Sequence, residues 1–273
     1  MSTIYDKFSL KGKTAIVTGG PGLLGAEFCR TLAEAGANVI VADLDGDAAA
    51  VAAAKLQEKG FSAISARVDV TQPESVKAMV AQAVKTFDRV DVLVNSAAID
   101  PKFDASHAGL DDGAFETYPV ELWREALDVN LTGAFLCSQA VSAAMLKQGS
   151  GSIINLCSMY GLVGPDQRLY EKEGSPMRYK PVFYPVTKAG ILGLTRYLAT
   201  YFAGKGIRAN ALTPGGIYND NDEVFVKNYS ARAVMGRMAR KDEMNGALLF
   251  LASEASSYMT GSNLVVDGGW TAW

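Results

Sequence analysis

Histidine and cysteine are scarce in this 273-residue chain. The single histidine, His107, lies in a polar stretch rich in Gly and Asp and is expected in an exposed loop, which disfavours a Ser-His-Asp hydrolase and a histidine metal site. The three cysteines, Cys29, Cys137 and Cys157, have the spacing of neither a zinc site nor a disulfide framework. We therefore expect no metal centre and a reducing, cytoplasmic location.

Signals for nucleic acid or a membrane are also missing. The net charge is −3 and no basic stripe occurs, so a nucleic-acid partner is disfavoured. Apolar runs such as TAIVT are much shorter than a membrane span, and the N-terminal segment MSTIYDKFSLKGK lacks the apolar region of a signal peptide. The expected partner is a small-molecule substrate.

What the chain does contain is a regular alternation of short apolar runs and helical patterns. With 49% hydrophobic and 20% charged residues it can build a sizeable core. Apolar strands alternating with helices predict a parallel sheet covered on both faces. The expectation is one α/β domain spanning 1–273, of the Rossmann type and doubly wound, with a seven-stranded, mainly parallel sheet. The predicted strands are 14–18, 38–42, 62–68, 90–95, 152–157, 207–212 and 263–267, and helical stretches include 119–147, 184–204 and 240–253.

Two irregular segments, near 99–118 and 162–183, interrupt this alternation. Both follow predicted strands. Ligands of such sheets bind beyond the carboxyl ends of the strands, and long loops in compact domains are usually functional. We therefore interpret both segments as substrate loops.

The first strand runs into a Gly-rich turn and then a helical pattern, in TAIVTGGPGLLGAEF. Glycines allow the backbone to approach a pyrophosphate closely, and the following helix N-terminus offers N–H groups and partial positive charge. The turn does not end in Gly-Lys-Ser/Thr and so is not a P-loop. Strand, turn and helix occur in the order that a dinucleotide site requires.

Asp43 ends the second strand, 18 residues after Gly25. A carboxylate there can accept both ribose hydroxyls and repel a 2′-phosphate. The alternative is that Asp43 merely caps the next helix, and Asp45 is a less favoured substitute. Because no Arg follows this strand, the sequence favours NAD over NADP.

A series of motifs in chain order resembles the short-chain dehydrogenase/reductase family over nearly the whole length. They are TGGPGLLG, VDV, NSAA, DVNLTG, INLCSMYG, YPVTK and PGGIYN. The departures are Leu23 where the family turn has its penultimate Gly, and Ala98 where it has Gly after NxA. The resemblance implies a cofactor site formed by Gly19, Gly22, Leu23, Leu24, Gly25, Asp43, Asp69, Val70, Asn95, Ala97, Tyr184, Lys188, Pro214, Gly215 and Ile217.

The resemblance also implies a catalytic set of Asn130, Ser158, Tyr184 and Lys188. Ser158 would hold the substrate oxygen, and Asn130 would anchor a water that relays protons through Lys188. Lys188 would also hold the nicotinamide ribose. On their own, a Tyr and a Lys four positions apart are an ordinary pair on a solvated helix.

The Tyr184–Lys188 pair has a chemical use in alcohol oxidation. A free tyrosine has a pKa of about 10 and is a poor base at neutral pH. Bringing it near neutrality requires about 4 kcal/mol of phenolate stabilisation. An ammonium about 4 Å away supplies about that at an effective dielectric near 20. The prediction is that Lys188 lowers the pKa of Tyr184, with NAD+ adding to the effect.

The segment between Ser158 and Tyr184 predicts the substrate class. The separation of 26 residues (184 − 158) is about twice the family's usual value, and the surplus is polar and aromatic. We expect it to form a lid or wall, with Ser158, Arg168 and Tyr184 binding substrate. This composition favours a polyhydroxylated or anionic carbohydrate-like secondary alcohol over a steroid or long acyl chain.

Two other functions stay open at this point. One is a 3-oxoacyl-thioester reductase using NADPH, and the other is a catalytically silent NAD-binding sensor or interaction protein. A faint likeness to bacterial members of surface-sugar pathways, those of polysaccharides and nonulosonic acids, supports carbohydrate metabolism. The family resemblance also implies a homotetramer or homodimer, associating through 119–147, 184–204 and the last strand.

Overall fold

All seven predicted strands form one sheet, in the order β3-β2-β1-β4-β5-β6-β7, and every pairing is parallel. The computed structural model describes residues 3–100, 113–171, 174 and 176–273. His107 and most of the 99–118 loop lie outside the described residues. The strands are β1 (Thr14–Thr18), β2 (Asn38–Asp43), β3 (Ala63–Arg67), β4 (Val92–Asn95), β5 (Gly151–Leu156), β6 (Ile207–Pro214) and β7 (Asn263–Val266).

Helices follow most of the strands, as predicted, with two differences. The predicted 119–147 helix is divided by a π-helical turn, Asp128–Thr132, and a helix not predicted occurs at Glu223–Ser230. In the described ranges the α-helices are α1 (Leu23–Glu34), α2 (Gly46–Glu58), α3 (Pro73–Phe87), α4 (Val120–Leu127), α5 (Gly133–Gln148), α6 (Phe183–Tyr201), α7 (Glu223–Ser230) and α8 (Asn245–Ala252).

The sheet separates two apolar cores, which confirms the doubly wound fold. Successive side chains of a strand point to opposite faces. In β1, Val17 therefore packs with Phe28 of α1, whereas Ile16 packs into the opposite core with Met145 of α5. All four side chains are fully buried, and each such burial contributes about 1.5–3 kcal/mol.

The run Val120–Gln148 is long and apolar enough to cross a membrane by length and composition alone. In this fold its apolar residues have another role, because Cys137, Val141 and Met145 pack on the sheet in the second core. Core helices of soluble proteins commonly pass the same composition test, and here core packing accounts for part of the apolar character of this run, since 39% of its most apolar window is buried.

The position of β1 determines where a ligand can bind. β1 pairs with β2 on one side and with β4 on the other, so the chain crosses the sheet after β3 and the winding reverses beside β1. A crevice opens at such a switch point, beyond the carboxyl ends of the strands. Thr18 at the end of β1 is level with Asn95 at the end of β4.

Candidate active site

A cavity of about 1480 Å³ lies along the carboxyl ends of the central strands. It is large enough for a dinucleotide with a small substrate beside it. Its wall contains every predicted cofactor-binding residue except Asn95, and it also contains Ser158. Other residues of the wall have no role predicted from the sequence, namely Leu44, Val68, Ser96, Ala98, Ile99, Asp100, Tyr160, Tyr170, Lys180, Phe225 and Tyr229.

The Gly-rich turn forms one end of the cavity. Gly19 has a φ of +67°, and a Cβ on Gly25 would overlap the carbonyl oxygen of Gly19, so neither position suits a larger residue. α1 begins at Leu23, with Gly22 as an N-cap that offers no side chain. The first-turn N–H groups are therefore not capped by a side chain, which fits a phosphate-binding cradle. Leu23 at the family's penultimate Gly position is accommodated because its side chain is 39% exposed.

The two acidic residues after β2 have separate roles. Asp45 caps α2, because its Oδ1 accepts hydrogen bonds from Asp47 N (3.1 Å) and Ala48 N (3.0 Å). Asp43 instead accepts one from Asp45 N (3.0 Å) and lines the cavity. Asp43 is therefore not the cap of α2, and it lies on the wall of the ligand space.

A cation near Asp43 escaped the sequence analysis. Arg67, at the end of β3, is the register partner of Asp43, and its aliphatic stem lies over Gly46. The expectation that no arginine follows β2 holds for the sequence, but the neighbouring strand brings Arg67 to the same edge of the sheet.

Two residues that the resemblance assigns to the cofactor site, Asp69 and Val70, come shortly after β3. Asp69 and Val70 line the wall. The Asp69 carboxylate accepts hydrogen bonds from Thr71 N (2.9 Å) and Thr71 Oγ1 (2.7 Å), which fixes its orientation. Pro214, Gly215 and Ile217 line the opposite wall, after β6.

The assignment of Asn95 to the cofactor site is wrong for its side chain. Asn95 is 6% exposed and lies behind the wall, where its Nδ2 donates to Asn155 Oδ1 (2.8 Å) and Ser138 Oγ (3.1 Å). These bonds tie β4 to β5 and α5. Ala97, two residues on, does line the cavity, and its backbone N–H is held by Thr18 Oγ1 (3.2 Å).

Ser158, Tyr184 and Lys188 all line the cavity. Ser158 follows β5, and its hydroxyl accepts a hydrogen bond from Tyr160 N (3.2 Å). Tyr184 and Lys188 are one turn apart on α6, where Pro185 occupies the first turn, in which a missing N–H costs little. Lys188 is 5% exposed, and its Nζ donates a hydrogen bond to Leu156 O (3.0 Å). The same Nζ lies 5.8 Å from the centre of the Tyr184 ring.

Burial changes the titration of both groups. Burial raises the pKa of Tyr184, and the nearby Asp100 carboxylate raises it further, while Ser158 opposes the change. Burial also lowers the pKa of Lys188. In the protein alone, desolvation therefore opposes the predicted lowering of the Tyr184 pKa, and that lowering stays a prediction for the enzyme with NAD+ bound.

Asn130 lies on the π-helical turn and is 3% exposed. Its Oδ1 accepts from Ile99 N (2.7 Å) and its Nδ2 donates to Ile99 O (3.1 Å). Nδ2 is also 3.4 Å from Thr187 Oγ1 on α6. The side chain thus fastens the loop after β4 to the helix that carries Tyr184 and Lys188.

Arg168, a predicted substrate ligand, is wrongly placed by the sequence analysis. Its side chain is 73% exposed and forms a two-pronged ion pair with Asp166 (2.8 Å for both bonds), outside the cavity wall. The neighbouring residues Leu169 and Tyr170 line the cavity instead, on a short 3₁₀ helix. Several described residues of the segment thus contribute to the cavity wall.

This wall is more aromatic than its sequence suggested. The Tyr160 and Tyr170 hydroxyls are 3.3 Å apart, and the Tyr170 ring lies 5.5 Å from that of Phe225 on α7. Tyr229 stacks on Trp270 with ring centres 4.4 Å apart, and its hydroxyl accepts a hydrogen bond from Gly216 N (2.6 Å). The aromatic side chains come from three separate segments, so no local pattern marks them as neighbours.

In the described part of the chain, no cluster of three or more His, Cys, Asp or Glu side chains could hold a metal ion.

Comparison with known proteins assigns the family. A family model described as Enoyl-(Acyl carrier protein) reductase matches residues 23–271. The cis-4-hydroxycyclohexanecarboxylate dehydrogenase of Sinomonas cyclohexanicum is 37% identical over 267 residues, which cover 95% of this chain and 97% of that protein. This chain belongs to the short-chain dehydrogenase/reductase family.

Other members of the family agree in fold and in type of reaction. The galactitol 2-dehydrogenase (L-tagatose-forming) of Cereibacter sphaeroides is 37% identical over 275 residues, covering 97% of this chain and 98% of that protein. The crystal structure of a gluconate 5-dehydrogenase from Burkholderia cenocepacia J2315, in complex with NADP and tartrate, has a TM-score of 0.86 and 31% identity, over 99% of this chain and 100% of that one. These relatives are named as dehydrogenases, and the gluconate 5-dehydrogenase structure holds NADP.

Proposed function

We propose that this protein is an NAD-dependent oxidoreductase that interconverts a secondary alcohol and a ketone on a small hydroxylated molecule. The observation that carries the proposal is the juxtaposition of Ser158, Tyr184 and Lys188 with a Gly-rich cradle in one cavity. A silent nucleotide sensor would need the cradle but not Ser158, Tyr184 and Lys188 beside it. The dehydrogenase relatives support the same reaction class.

The residues of the cavity fit a nicotinamide dinucleotide. The N–H groups at the start of α1 would hold the pyrophosphate, Asp43 the adenosine ribose hydroxyls, and Lys188 the nicotinamide ribose. The bound cofactor would supply a hydride acceptor and, when oxidised, a positive charge. Asp43 favours NAD because a 2′-phosphate beside a carboxylate is repelled, while Arg67 at the same sheet edge would reduce that repulsion.

The side chains then divide the acid–base work. Ser158 Oγ donates to the substrate oxygen and holds the carbinol against Tyr184. Tyr184 Oη accepts the hydroxyl proton as the C–H bond loses its hydride, so proton and electron pair leave by separate routes. Desolvation opposes the phenolate, and so Lys188 and the cofactor's positive charge must act together to stabilise it. In the reverse direction Tyr184 donates the proton to the ketone oxygen.

The substrate is proposed to be a small cyclic or polyhydroxylated alcohol. The wall combines tyrosine hydroxyls and charged groups with ring faces, an arrangement that suits a ring or carbon chain bearing several hydroxyls. The relatives named for hydroxycyclohexanecarboxylate, galactitol and D-threitol support this class. The segments 99–118 and 162–183 would serve as the substrate loops, and the surface-sugar likeness remains faint.

We also propose that copies of the chain associate through α4, α5 and α6, forming a homodimer or homotetramer. Several apolar side chains on these helices are exposed: Val120, Leu122, Phe135, Leu146, Val186, Tyr197 and Tyr201. The three cysteines are free and buried, which is compatible with the proposed cytoplasmic location.

The decisive experiment is a substrate panel with NAD+ and NADP+, run on the wild type and Tyr184→Phe. The panel contains polyols, sugar acids and cyclohexanols, with acyl thioesters plus NADPH as a separate arm. We expect wild-type turnover of hydroxylated substrates and a loss of at least about 10³-fold in Tyr184→Phe, with cofactor binding retained. Turnover confined to acyl thioesters with NADPH would establish the reductase, and cofactor binding without any turnover would establish the sensor.

A further inference from the structure

A buried lysine that the reaction above does not use lies beside Tyr184. Lys180 is 9% exposed and lines the cavity, and its Nζ is 4.0 Å from the centre of the Tyr184 ring. This is closer than Lys188, whose Nζ is 5.8 Å from the same centre. Lys180 therefore brings a second ammonium close to the phenol ring, within the cavity.

The backbone of Lys180 is fixed by a reciprocal pair of hydrogen bonds. Lys180 N donates to Gln167 Oε1 (2.8 Å), and Gln167 Nε2 donates to Lys180 O (3.2 Å). Because Gln167 lies on the 3₁₀ helix of the same wall, the two ends of the 162–183 segment are clamped together. The ammonium is thus presented by an ordered backbone.

Lys180 forms an ion pair with Asp100, and the two partners differ strongly in exposure. The Lys180 side chain is 9% exposed, whereas the Asp100 side chain is 54% exposed. Asp100 belongs to the loop after β4, whereas Lys180 belongs to the 162–183 wall, and both line the cavity. An exposed carboxylate is readily solvated when it leaves, but a buried ammonium needs a counter-charge at all times.

We propose that Lys180 binds the carboxylate of a small hydroxy acid, and that Asp100 occupies this position until the substrate replaces it. The proposal rests on the proposed dehydrogenase function and narrows its substrate class. One carboxylate replaces another, so the net charge around the buried ammonium is unchanged by the exchange. The Asp100 side chain is more than half exposed, so the exchange only transfers its carboxylate from the ion pair with Lys180 into water.

The position of Lys180 also limits the size of the acid. Tyr184 would accept the carbinol proton, and the Lys180 ammonium lies 4.0 Å from the centre of the Tyr184 ring. Carboxylate and carbinol must therefore belong to one compact molecule, only a few bonds apart. The rings of Tyr160, Tyr170 and Phe225 would enclose its carbon skeleton.

The test compares 4-hydroxycyclohexanecarboxylate with its carboxamide, which has nearly the same shape and no charge. In Lys180→Met we expect the ratio of kcat/KM for the acid to that for the amide to fall about 10- to 100-fold, the loss of a charge-assisted hydrogen bond. Lys180→Arg should recover part of the ratio. The matched control is Lys205→Met, since Lys205 Nζ also lies over an aromatic ring, 4.1 Å from the centre of Tyr201, but outside the cavity.

Asp100→Asn gives an independent result. If Asp100 competes with the substrate carboxylate, this variant should lower the KM for the acid several-fold and leave that for the amide little changed. A higher KM for the acid would mean that Asp100 only holds Lys180 in place, and an unchanged acid-to-amide ratio in Lys180→Met would overturn the site.

A binding measurement separates this proposal from the dehydrogenase function. Cyclohexanecarboxylate has no carbinol, and its affinity for the wild type and Lys180→Met is measured by calorimetry with NAD+ present. Loss of affinity in the variant supports the carboxylate site even if no alcohol is turned over. The absence of turnover would contradict only the dehydrogenase function. Equal affinity of cyclohexanecarboxylate for both proteins, together with turnover of alcohols, would support the dehydrogenase function and contradict the carboxylate site at Lys180.

Discussion

At the scale of single residues, Asp43 and Asp45 provide a matched pair for testing cofactor choice. Asp43→Ala should raise the KM for NAD+ about 10- to 100-fold and shift preference towards NADP+, because two charge-assisted hydrogen bonds to the ribose are lost and repulsion of a 2′-phosphate ends. Asp45→Ala should leave the preference unchanged but destabilise the protein by about 1 kcal/mol, because Asp45 caps α2.

Steady-state kinetics with both cofactors and thermal unfolding of both variants make this comparison. The opposite assignment, with Asp45 controlling preference and Asp43 stability, would show that the ribose site has been placed on the wrong carboxylate. An Asp43→Ala, Arg67→Ala double variant measures the contribution of Arg67, since NADP+ affinity should fall again when the nearby cation is removed.

Tyr184 makes a second residue-scale prediction, on pH. The base form of Tyr184 is needed for oxidation, so kcat/KM should rise as pH rises through its pKa. Because burial and then Asp100 raise that pKa, Asp100→Asn should move the rising limb to lower pH, the direction expected when a nearby negative charge is removed.

The measurement is the pH dependence of kcat/KM for a neutral alcohol with saturating NAD+. The control is Asp166→Asn, whose parent carboxylate lies in the same wall segment but is paired with Arg168, and this variant should leave the limb in place. If the rising limb of the kcat/KM profile stays at the same pH in Asp100→Asn, or moves to higher pH, the Asp100 charge does not raise the pKa of Tyr184.

At the scale of elements, the turn from β1 into α1 sets the geometry of the cofactor site. Gly25→Ala adds a methyl group that overlaps the Gly19 carbonyl oxygen, so the turn must open, and NAD+ affinity should fall by more than about 10-fold. Gly246→Ala is the control, because nothing lies within 4 Å of a Cβ at this exposed position in α8. It should leave affinity unchanged and raise stability by about 0.5–1 kcal/mol.

Fluorescence titration with NADH measures the cofactor affinity of both glycine variants, and thermal unfolding measures their stability. Unchanged NADH affinity in Gly25→Ala would mean that the turn is not the pyrophosphate cradle.

The elements themselves were largely predictable from the sequence. A strand buried on both faces is a continuous apolar run, so β1, β2 and β4 were located almost to the residue. The π-helical turn at Asp128–Thr132 and α7 were missed, since a single turn or an eight-residue helix gives little periodicity to detect.

The site was less predictable, because its contacts depend on side-chain direction and on distant segments. Asn95 holds the predicted position, but its side chain turns into the core. Arg168 pairs with a carboxylate two residues away instead of reaching the cavity. The contact between Lys180 and Asp100 joins positions 80 residues apart, and no local pattern marks it.

At the scale of the whole molecule, the exposed apolar face on α4–α6 makes the last prediction. On α6 the Tyr197 and Tyr201 rings stack at 6.0 Å and are 63% and 52% exposed, and Phe135 on α5 is 44% exposed. An apolar face of this kind on a stable protein usually marks an interface. We expect light scattering after size exclusion to give a mass that is a multiple of the 29.0 kDa chain.

Phe135→Glu combined with Tyr197→Glu should reduce that mass, since burying two carboxylates in an apolar interface is strongly unfavourable. Tyr5→Glu is the control, as Tyr5 is 84% exposed on a separate N-terminal turn and should not change the mass. Circular dichroism confirms that the double variant keeps its fold. Because Tyr184 and Lys188 lie on the same helix as Tyr197, dissociation should also lower kcat through looser packing of α6. A monomeric wild type would contradict the proposed interface through α4–α6.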